Sequence, residues 1–420
     1  MDEQAAVLLR EQIRLKLDMT QSESDEVLME RIEADVFDYA RLHRLTAGEK
    51  HRLVKSIFYS FRGLDVLQPL LEDPEITEIM VNSHKEIFVE KQGAVFRSEV
   101  RFESEAKLND IIQSIVAKVD RVVNESAPIV DARLTDGSRV NVVLPPIALK
   151  GPTMTIRKFP EKPLAMADLI SWGALTAEAG EVLRTLVEAK YNLFICGGTG
   201  SGKTTFLGAL CGFIPSDERL ITIEDSAELQ IQTVDNLVRL ETRNANTEGK
   251  GEITMRQLIR SSLRMRPNRI IVGEVRGAEC LDMLAAMNTG HDGSLSTGHA
   301  NSPHDMLSRL ETMVLSGASL PVEVVRKQIY SAIDLIVHVS RFRDRSRKVT
   351  AICELADMRD GEIVLKPLFE FQEEGTAPDG FVLGRLKQTE HRLVRVQKLQ
   401  MAGLRLPNQA SAAGERRDGG

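Results

Sequence analysis

The first 65 residues carry hydrophobic side chains at the spacing of an α-helix. Apolar residues recur every four positions in three separate groups: Leu9, Ile13 and Leu17; Leu28, Ile32 and Val36; and Leu53, Ile57 and Phe61. Residues four apart share one face of a helix, so the pattern predicts a small helical bundle over 1–65. Thr46 and Glu49 have the spacing of a capping box at the start of the third helix. A module that docks a partner protein is the alternative interpretation.

The pattern changes over residues 66–158, where short apolar segments replace the helical stripes. Six segments favour strands: 76–81, 87–90, 95–97, 129–134, 139–144 and 153–158. Between the third and the fourth, Leu108, Ile111, Ile115 and Val119 return to helical spacing. The combination predicts a small α+β domain. The segment FPEKPLAM, residues 159–166, contains two prolines and is the predicted linker.

From residue 167 to about 370, apolar strands alternate with helical patterns. The strand candidates are 192–196, 219–223, 237–241, 269–273, 294–298 and 334–339. Such alternation predicts an α/β domain with a doubly wound parallel sheet, which we place at 167–403, and a ligand at the carboxyl ends of its strands. The polar tail, 404–420, is predicted to be disordered.

Composition and charge narrow the classes of protein. The net charge of −7 argues against a generally basic nucleic-acid binder. The four cysteines form no C-x-x-C pair, so neither a zinc knuckle nor a disulfide framework is indicated. No apolar run approaches 18 residues and no signal peptide is evident. We therefore expect a cytoplasmic protein that reaches a membrane only through partners.

A phosphate-binding loop follows the first strand of the predicted parallel sheet. Its residues are Gly197, Gly198, Thr199, Gly200, Ser201, Gly202, Lys203, Thr204 and Thr205. Glycines let successive N–H groups point at phosphate oxygens, and the next helix adds its positive N-terminal end. Lys203 is predicted to reach the β- and γ-phosphates of ATP, and the Thr204 hydroxyl to bind Mg²⁺. A dinucleotide fingerprint is excluded, because Lys203 stands where its third glycine is needed.

Carboxylates follow two neighbouring strands of the same sheet. Glu224 and Asp225 come directly after one strand, and Glu274 follows another. Hydrolysis requires a carboxylate that orients water and an acid near Mg²⁺. We expect Glu274 to orient water, Glu224 to take part in catalysis, and Asp225 to lie near the metal. Acidic residues at the starts of helices are the alternative explanation.

Two histidines lie in the stretch NTGHDGSLSTGHANSP, each preceded by glycine. We expect His291 and His299 to report the γ-phosphate to a neighbouring element. Metal binding is less favoured, since no third ligand is evident nearby.

Four motifs together resemble those of the secretion ATPase superfamily, which drives type II and type IV secretion and type IV pili. They are the P-loop, ITIEDSAEL, LRMRPNRIIVGEVRG and MNTGHDGSLSTGHANSP, and they resemble the Walker A, Asp, Walker B and His boxes. GPTMTIRKF and DARLTDGSRVNVVLPP resemble, more narrowly, the CpaF-type ATPases of Tad (Flp) pilus assembly. The resemblance covers about residues 65–370. It implies a RecA-like P-loop ATPase domain preceded by a small α+β (PAS-like) domain and a helical bundle.

The resemblance also implies partners and further site residues. It implies a homo-hexamer that binds ATP and Mg²⁺, acts on inner-membrane platform proteins and associates peripherally with the membrane, with no direct contact to nucleic acid. Arg139 and Arg157 match arginines that contact phosphate from the preceding domain. Arg276 matches a further family arginine.

Several alternatives stay open on the sequence. The missing C-x-x-C pairs favour the CpaF-type or the conjugation-type branch without separating them. A nucleotide-gated docking scaffold would need no catalysis, and a nucleic-acid motor could share the core. The segment VLSGASL, residues 314–320, only partly matches the signature loop of ABC transporter ATPases.

Overall fold

Three amphipathic helices begin the chain, where apolar residues recur every four positions. The computed structural model describes residues 3–16, 24–119, 121–159, 162–245 and 249–407. The helices are α1 (Glu3–Lys16), α2 (Asp25–His43) and α3 (Ala47–Arg62), followed by the short α4 (Gln68–Glu72). Leu9, Ile32 and Ile57 are buried in one apolar cluster shared by α1, α2 and α3. Thr46 and Glu49 form the predicted capping box.

A six-stranded antiparallel sheet and one helix follow the first four helices. The elements are β1 (Ile76–Ser83), β2 (Glu86–Lys91), β3 (Ala94–Arg97), α5 (Glu105–Ala117), β4 (Ile129–Arg133), β5 (Arg139–Val143) and β6 (Thr153–Arg157). The strand order is β3-β2-β1-β6-β5-β4. Leu108, Ile112 and Ile115 lie on one face of α5 and are buried among the apolar side chains of the sheet. The helix thus covers one face of the sheet, as expected of an antiparallel sheet that is half-buried. These elements belong to the first of two compact units, Met1–Pro160 and Glu161–Gly420.

The second unit is built on a nine-stranded sheet. Its strands are β7 (Leu193–Gly197), β8 (Leu220–Glu224), β9 (Leu237–Glu241), β10 (Arg269–Val272), β11 (Leu295–His299), β12 (Leu335–Arg341), β13 (Arg347–Arg359), β14 (Glu362–Thr376) and β15 (Val382–Gln388). The order is β15-β14-β13-β12-β7-β11-β10-β8-β9. The six strands from β12 to β9 run parallel, and β12 to β15 pair antiparallel.

Helices cover both faces of the parallel strands. They are α6 (Met166–Ser171), α7 (Ala177–Glu188), α8 (Lys203–Cys211), α9 (Met255–Ser262), α10 (Glu279–Met287), α11 (Pro303–Gly317), α12 (Val322–Ala332) and α13 (Gln397–Ala402). Along β7, Leu193 and Ile195 face one apolar cluster while Phe194 and Cys196 face the other. Burial on both faces explains why this strand is an unbroken apolar run.

The predicted parallel strands all exist, and each overlaps its predicted segment. The antiparallel extension β13–β15 was not predicted. Its burial pattern is irregular, and the long strands β13 and β14 carry bulges that interrupt the two-residue alternation. Leu406, inside the predicted tail 404–420, is buried against the core. Residues 160 and 161 of the predicted linker, and 408–420 of the predicted tail, lie outside the described residues.

Candidate active site

The P-loop joins the buried strand β7 to helix α8. Gly200 and Gly202 have φ values of +69° and +92°, in the left-handed region that only glycine adopts without strain. A Cβ atom at Gly197 would overlap the carbonyl oxygen of Val339 on β12. Packing against β12 therefore requires a glycine at position 197, and the backbone conformation requires glycines at positions 200 and 202.

The ammonium group of Lys203 lies inside the loop. Its Nζ donates to the carbonyl oxygens of Gly197 at 3.2 Å and Gly198 at 2.9 Å. It also lies 3.3 Å from Nδ1 of His299. Burial lowers the pKa of Lys203, although the nearby Glu274 carboxylate acts in the opposite direction.

His299 links the P-loop lysine to the acid that follows β10. Because an ammonium group has no acceptor, Lys203 donates to Nδ1, and the proton of the neutral ring is therefore assigned to Nε2. Nε2 lies 2.8 Å from Oε1 of Glu274. The angles at this contact are not those of a hydrogen bond, and Oε1 is buried without a hydrogen-bond partner among the described residues. Burial lowers the pKa of His299, which favours this neutral form. The neutral ring thus lies between a lysine and a carboxylate and contacts both without adding a charge.

Glu274 is also held from its other side. Its Oε2 accepts a hydrogen bond of 2.9 Å from Nη2 of Arg276, and Nη1 of Arg276 lies 3.8 Å from Oδ2 of Asp225. The hydrogen bond from Arg276 to Glu274 raises the pKa of the guanidinium. Lys203, His299, Glu274, Arg276 and Asp225 therefore form one continuous chain of polar contacts along the carboxyl edge of the parallel sheet.

Glu224 ends strand β8 and is buried. Its Oε2 accepts hydrogen bonds from the backbone N–H groups of Glu228 at 2.8 Å and Leu229 at 3.0 Å. Its Oε1 is buried and has no hydrogen-bond partner in the described part of the chain. Burial raises the pKa of Glu224, and the two backbone donors act against that shift. One oxygen of Glu224 shapes the following turn, while the other is a candidate ligand.

A magnesium site can be tested against these residues. A hydroxyl and carboxylates are the hard oxygen ligands that Mg²⁺ takes, usually few at a time because it keeps several waters. Thr204 is half-buried at the start of α8, Asp225 is exposed, and Oε1 of Glu224 is unpaired. This donor set fits Mg²⁺ brought by a nucleotide. Across the described residues, no group of three or more His, Cys, Asp or Glu side chains is arranged to hold a metal alone.

The structure does not bring His291 to this cluster. His291 precedes β11, whose far end carries His299, so it lies at the amino edge of the sheet. Its Nδ1 is 3.2 Å from the carbonyl oxygen of Ala286, and its own carbonyl accepts from Ser294. His291 and His299 lie at opposite edges of the sheet because the extended strand β11 runs between them.

Arg139 and Arg157 lie in the first unit, directly opposite each other on β5 and β6. Arg133 on β4 is opposite Arg139, and Glu78 on β1 is opposite Arg157. Like charges directly across a sheet are unfavourable, whereas Glu78 places an opposite charge across from Arg157. The prediction missed Arg133, although the hairpin register of DARLTDGSRV contains it.

Two further arginines, Arg341 and Arg347, lie against the P-loop and were also missed. Nε of Arg347 donates to the carbonyl oxygen of Gly200 at 2.9 Å, and a Cβ atom at Gly200 would lie 3.7 Å from Nη1 of Arg341. Both residues flank a turn that lies more than 130 positions after the P-loop in the chain. The spacing of residues within one motif cannot predict a contact between segments so far apart.

Comparison with known proteins places the chain in one family. The model of the family described as "Type II/IV secretion system protein" matches residues 61–399. The chain belongs to this family.

Individual relatives agree with that assignment. The chain is 37% identical over 306 residues to a Mycobacterium tuberculosis protein provisionally named as a conjugal transfer protein, covering 71% of this chain and 86% of the relative. It is 35% identical over 303 residues to the type IV secretion system protein VirB11 of Brucella suis, covering 66% and 84%. The crystal structure of the pilus retraction motor PilT with bound ADP has a TM-score of 0.51 and 16% identity over 83% of this chain and 88% of PilT, which shows a shared fold. Among the described residues, no helix has the length and apolarity to cross a bilayer.

Proposed function

We propose that this protein is a P-loop ATPase that hydrolyses ATP with Mg²⁺ to power assembly of a Tad (Flp) type IV pilus or a related type II secretion system. The observation that carries the proposal is the contact chain from Lys203 through His299 to Glu274. It connects the loop that would hold phosphate with the carboxylate that would orient water.

Different residues of this site bind phosphate, bind the metal and position water. The P-loop amides and Lys203 hold phosphate, and Thr204, with Glu224 or Asp225, holds the metal. Bound Mg²⁺ would neutralise phosphate charge. Glu274 orients the attacking water, Arg276 donates a hydrogen bond to its Oε2, and His299 lies against its Oε1. Since His299 also contacts Lys203, the ring can register a change at the lysine and move the carboxylate, which is how we interpret its role in sensing phosphate.

The remaining assignments follow from the family resemblance and are part of the same proposal. We assign a helical bundle to 1–65, a PAS-like α+β domain to 66–158, a linker to 159–166, a RecA-like ATPase domain to 167–403 and a tail to 404–420. Arg139 and Arg157 would contact phosphate within a homo-hexamer, and His291 keeps its proposed role there. The ring would be cytoplasmic and would reach the inner membrane through platform proteins.

A second candidate is the motor ATPase of a conjugation or type IV secretion system. It is favoured by the conjugal transfer and VirB11 relatives, each more than 80% covered by this chain. Deletion of the gene separates the two, with surface pili and DNA transfer to a recipient as parallel readouts. Loss of pili with normal DNA transfer supports the first proposal, and the reverse supports the second.

Turnover of ATP by the purified full chain tests the shared enzymatic claim. We expect phosphate release that stops on chelation of Mg²⁺ and falls at least about 100-fold in Lys203→Ala. Binding of ATP without release by the wild type, in the presence of its membrane partners, would instead support a nucleotide-gated docking scaffold.

A further inference from the structure

The hairpin of β12 and β13 lies along the whole P-loop. Val339 on β12 packs against Gly197 so closely that no side chain fits there. Further along, Nη1 of Arg341 approaches Gly200, and Cδ of Arg347 would lie 3.2 Å from a Cβ atom at Gly202. The hairpin therefore contacts three glycines of the loop in succession.

The hydrogen bond from Arg347 fixes one peptide group of the loop. In a trans peptide, the carbonyl and the following N–H point in opposite directions. The Gly200 carbonyl points outward to Nε of Arg347 at 2.9 Å, so the N–H of Ser201 points inward. That N–H donates to the carbonyl oxygen of Gly198, with an N···O distance of 3.4 Å, and the same carbonyl accepts from Nζ of Lys203. The N–H is thus directed to the side of the loop on which the lysine lies, and a phosphate would replace Gly198 as its acceptor. Inward N–H groups are the donors with which such loops bind phosphate.

The loop needs an external anchor at this point. The Gly200–Ser201 peptide group begins at one glycine and is followed by another, Gly202. Glycine has more accessible backbone conformations than any other residue. Without a contact to the Gly200 carbonyl, this peptide is held only by the long hydrogen bond from the Ser201 N–H to Gly198, which a bound phosphate would displace. A guanidinium donor makes a charge-assisted hydrogen bond, which is stronger than a neutral one.

The turn that carries Arg347 is itself well held. Oδ1 of Asp344 accepts from the backbone and the hydroxyl of Ser346, and its Oδ2 accepts from the N–H of Val382 at 2.7 Å. The ring of Phe342 packs on Phe371 with centroids 5.1 Å apart. Strands β14 and β15 thus support the turn, and the turn supports the loop.

We propose that Arg347 is a positioning residue for nucleotide binding, which holds the Gly200–Ser201 peptide with its N–H directed at phosphate. This inference rests on the proposed function, because it takes the loop to bind ATP. Glu274 contacts His299 and accepts a hydrogen bond from Arg276 instead, so Arg347 is expected to set affinity rather than the rate of the chemical step.

Titration of the purified full chain with fluorescent ATP and ADP analogues, together with steady-state hydrolysis, tests the inference. In Arg347→Ala we expect both dissociation constants and KM to rise about tenfold with kcat within about twofold. Arg347→Lys, which keeps a donor, recovers part of the affinity. Arg343→Ala is the matched control, because it removes the same charge from the same turn, where Arg343 pairs with Glu373. It should bind both analogues like the wild type.

The outcomes separate this inference from the proposed function. If Lys203→Ala loses binding while Arg347→Ala binds like the wild type, the inference is wrong and the proposed function stands. If Arg343→Ala weakens binding equally, the effect comes from net charge and the inference is also wrong. If Arg347→Ala does not fold, Arg347→Lys decides, and an unchanged KM in that variant contradicts the inference. A wild type that binds no nucleotide overturns both.

Discussion

Nε2 of His299 lies 2.8 Å from Oε1 of Glu274, while Nδ1 of the same ring lies 3.3 Å from the P-loop lysine. Two strands that are adjacent in the sheet, β10 and β11, bring these groups together at their carboxyl ends. A neutral imidazole at this position contacts both the P-loop lysine and the Glu274 carboxylate. A protonated imidazole would place its positive charge beside the ammonium group of the lysine.

His299 is expected to make the protein more sensitive to acid. Burial lowers its pKa, so the folded protein binds fewer protons here than the unfolded chain does. The neutral ring contributes fully above about pH 6.5, and stability falls as the pH drops toward the folded pKa. Between pH 7.5 and 5.5, His299→Gln should lose less stability than the wild type, by under about 1 kcal/mol because the ring is partly exposed.

Thermal melts at both pH values check this expectation. The exposed His304 on α11 provides the control, since His304→Gln should lose as much stability as the wild type. An equal loss in His299→Gln and the wild type would show that the ring is not the sensitive group.

Gly197 should tolerate no side chain. A Cβ atom there would overlap the Val339 carbonyl oxygen and approach the Ser201 hydroxyl, so Gly197→Ala must push β12 away from the P-loop. We expect a loss of about 2 kcal/mol or more in unfolding free energy. Gly198→Ala is the matched comparison, because no described atom beyond its chain neighbours lies within 4 Å of its Cβ position. Chemical denaturation should show the two variants to differ, and equal midpoints would refute the packing argument.

The buried ion pair of Arg269 and Glu218 is expected to be costly to break. Arg269 is fully buried and donates to both oxygens of Glu218, at 2.7 and 2.9 Å. Burial acts to raise the pKa of Glu218, but Arg269 outweighs it and holds that pKa below its usual range. Arg269→Met leaves a buried carboxylate without its main partner and should destabilise the protein by about 3–5 kcal/mol.

Denaturation of two further variants checks the cause of that loss. Adding Glu218→Gln to Arg269→Met should restore part of the stability. Arg260→Met, which removes an exposed partner of Asp282, should cost under about 1 kcal/mol. A similar small loss in Arg269→Met would mean that the buried pair contributes little.

Arg157 should matter for turnover and little for stability. It is exposed and opposite Arg139, so its removal relieves repulsion between like charges while weakening the pairing with Glu78. We expect Arg157→Gln to keep its melting temperature within about 2 °C and to lose at least about tenfold in ATP turnover. Arg97→Gln on the edge strand β3 is the control of equal charge, with normal turnover expected. Normal turnover in Arg157→Gln would remove this arginine from the site.

The sequence sufficed for the centre of the parallel sheet because burial on both faces makes β7, β8 and β10 largely apolar runs between glycines and polar turns. It also sufficed to place Glu224 and Glu274 at one edge of the sheet, since parallel strands have their carboxyl ends there. It did not suffice to locate His291, whose glycine-histidine pair looks like that of His299 but lies at the other edge of the sheet. The role of Arg347 could not be predicted from the sequence, because its contact with Gly200 depends on how β12 and β13 pair. Strands β8 to β11 and their helices separate this hairpin from β7 along the chain.

The central claim is that Glu274 orients the water that attacks ATP, and one variant tests it most directly. Gln keeps the size of the side chain and can still contact His299, but it lacks the charge that polarises water. With saturating Mg²⁺ and ATP, Glu274→Gln should bind ATP within about threefold of the wild type and hydrolyse it at least about 100-fold more slowly. Glu188→Gln, a change at a half-buried position on α7 where the side chain pairs with Arg184, should hydrolyse ATP at the wild-type rate. Hydrolysis by Glu274→Gln at the wild-type rate would contradict the account.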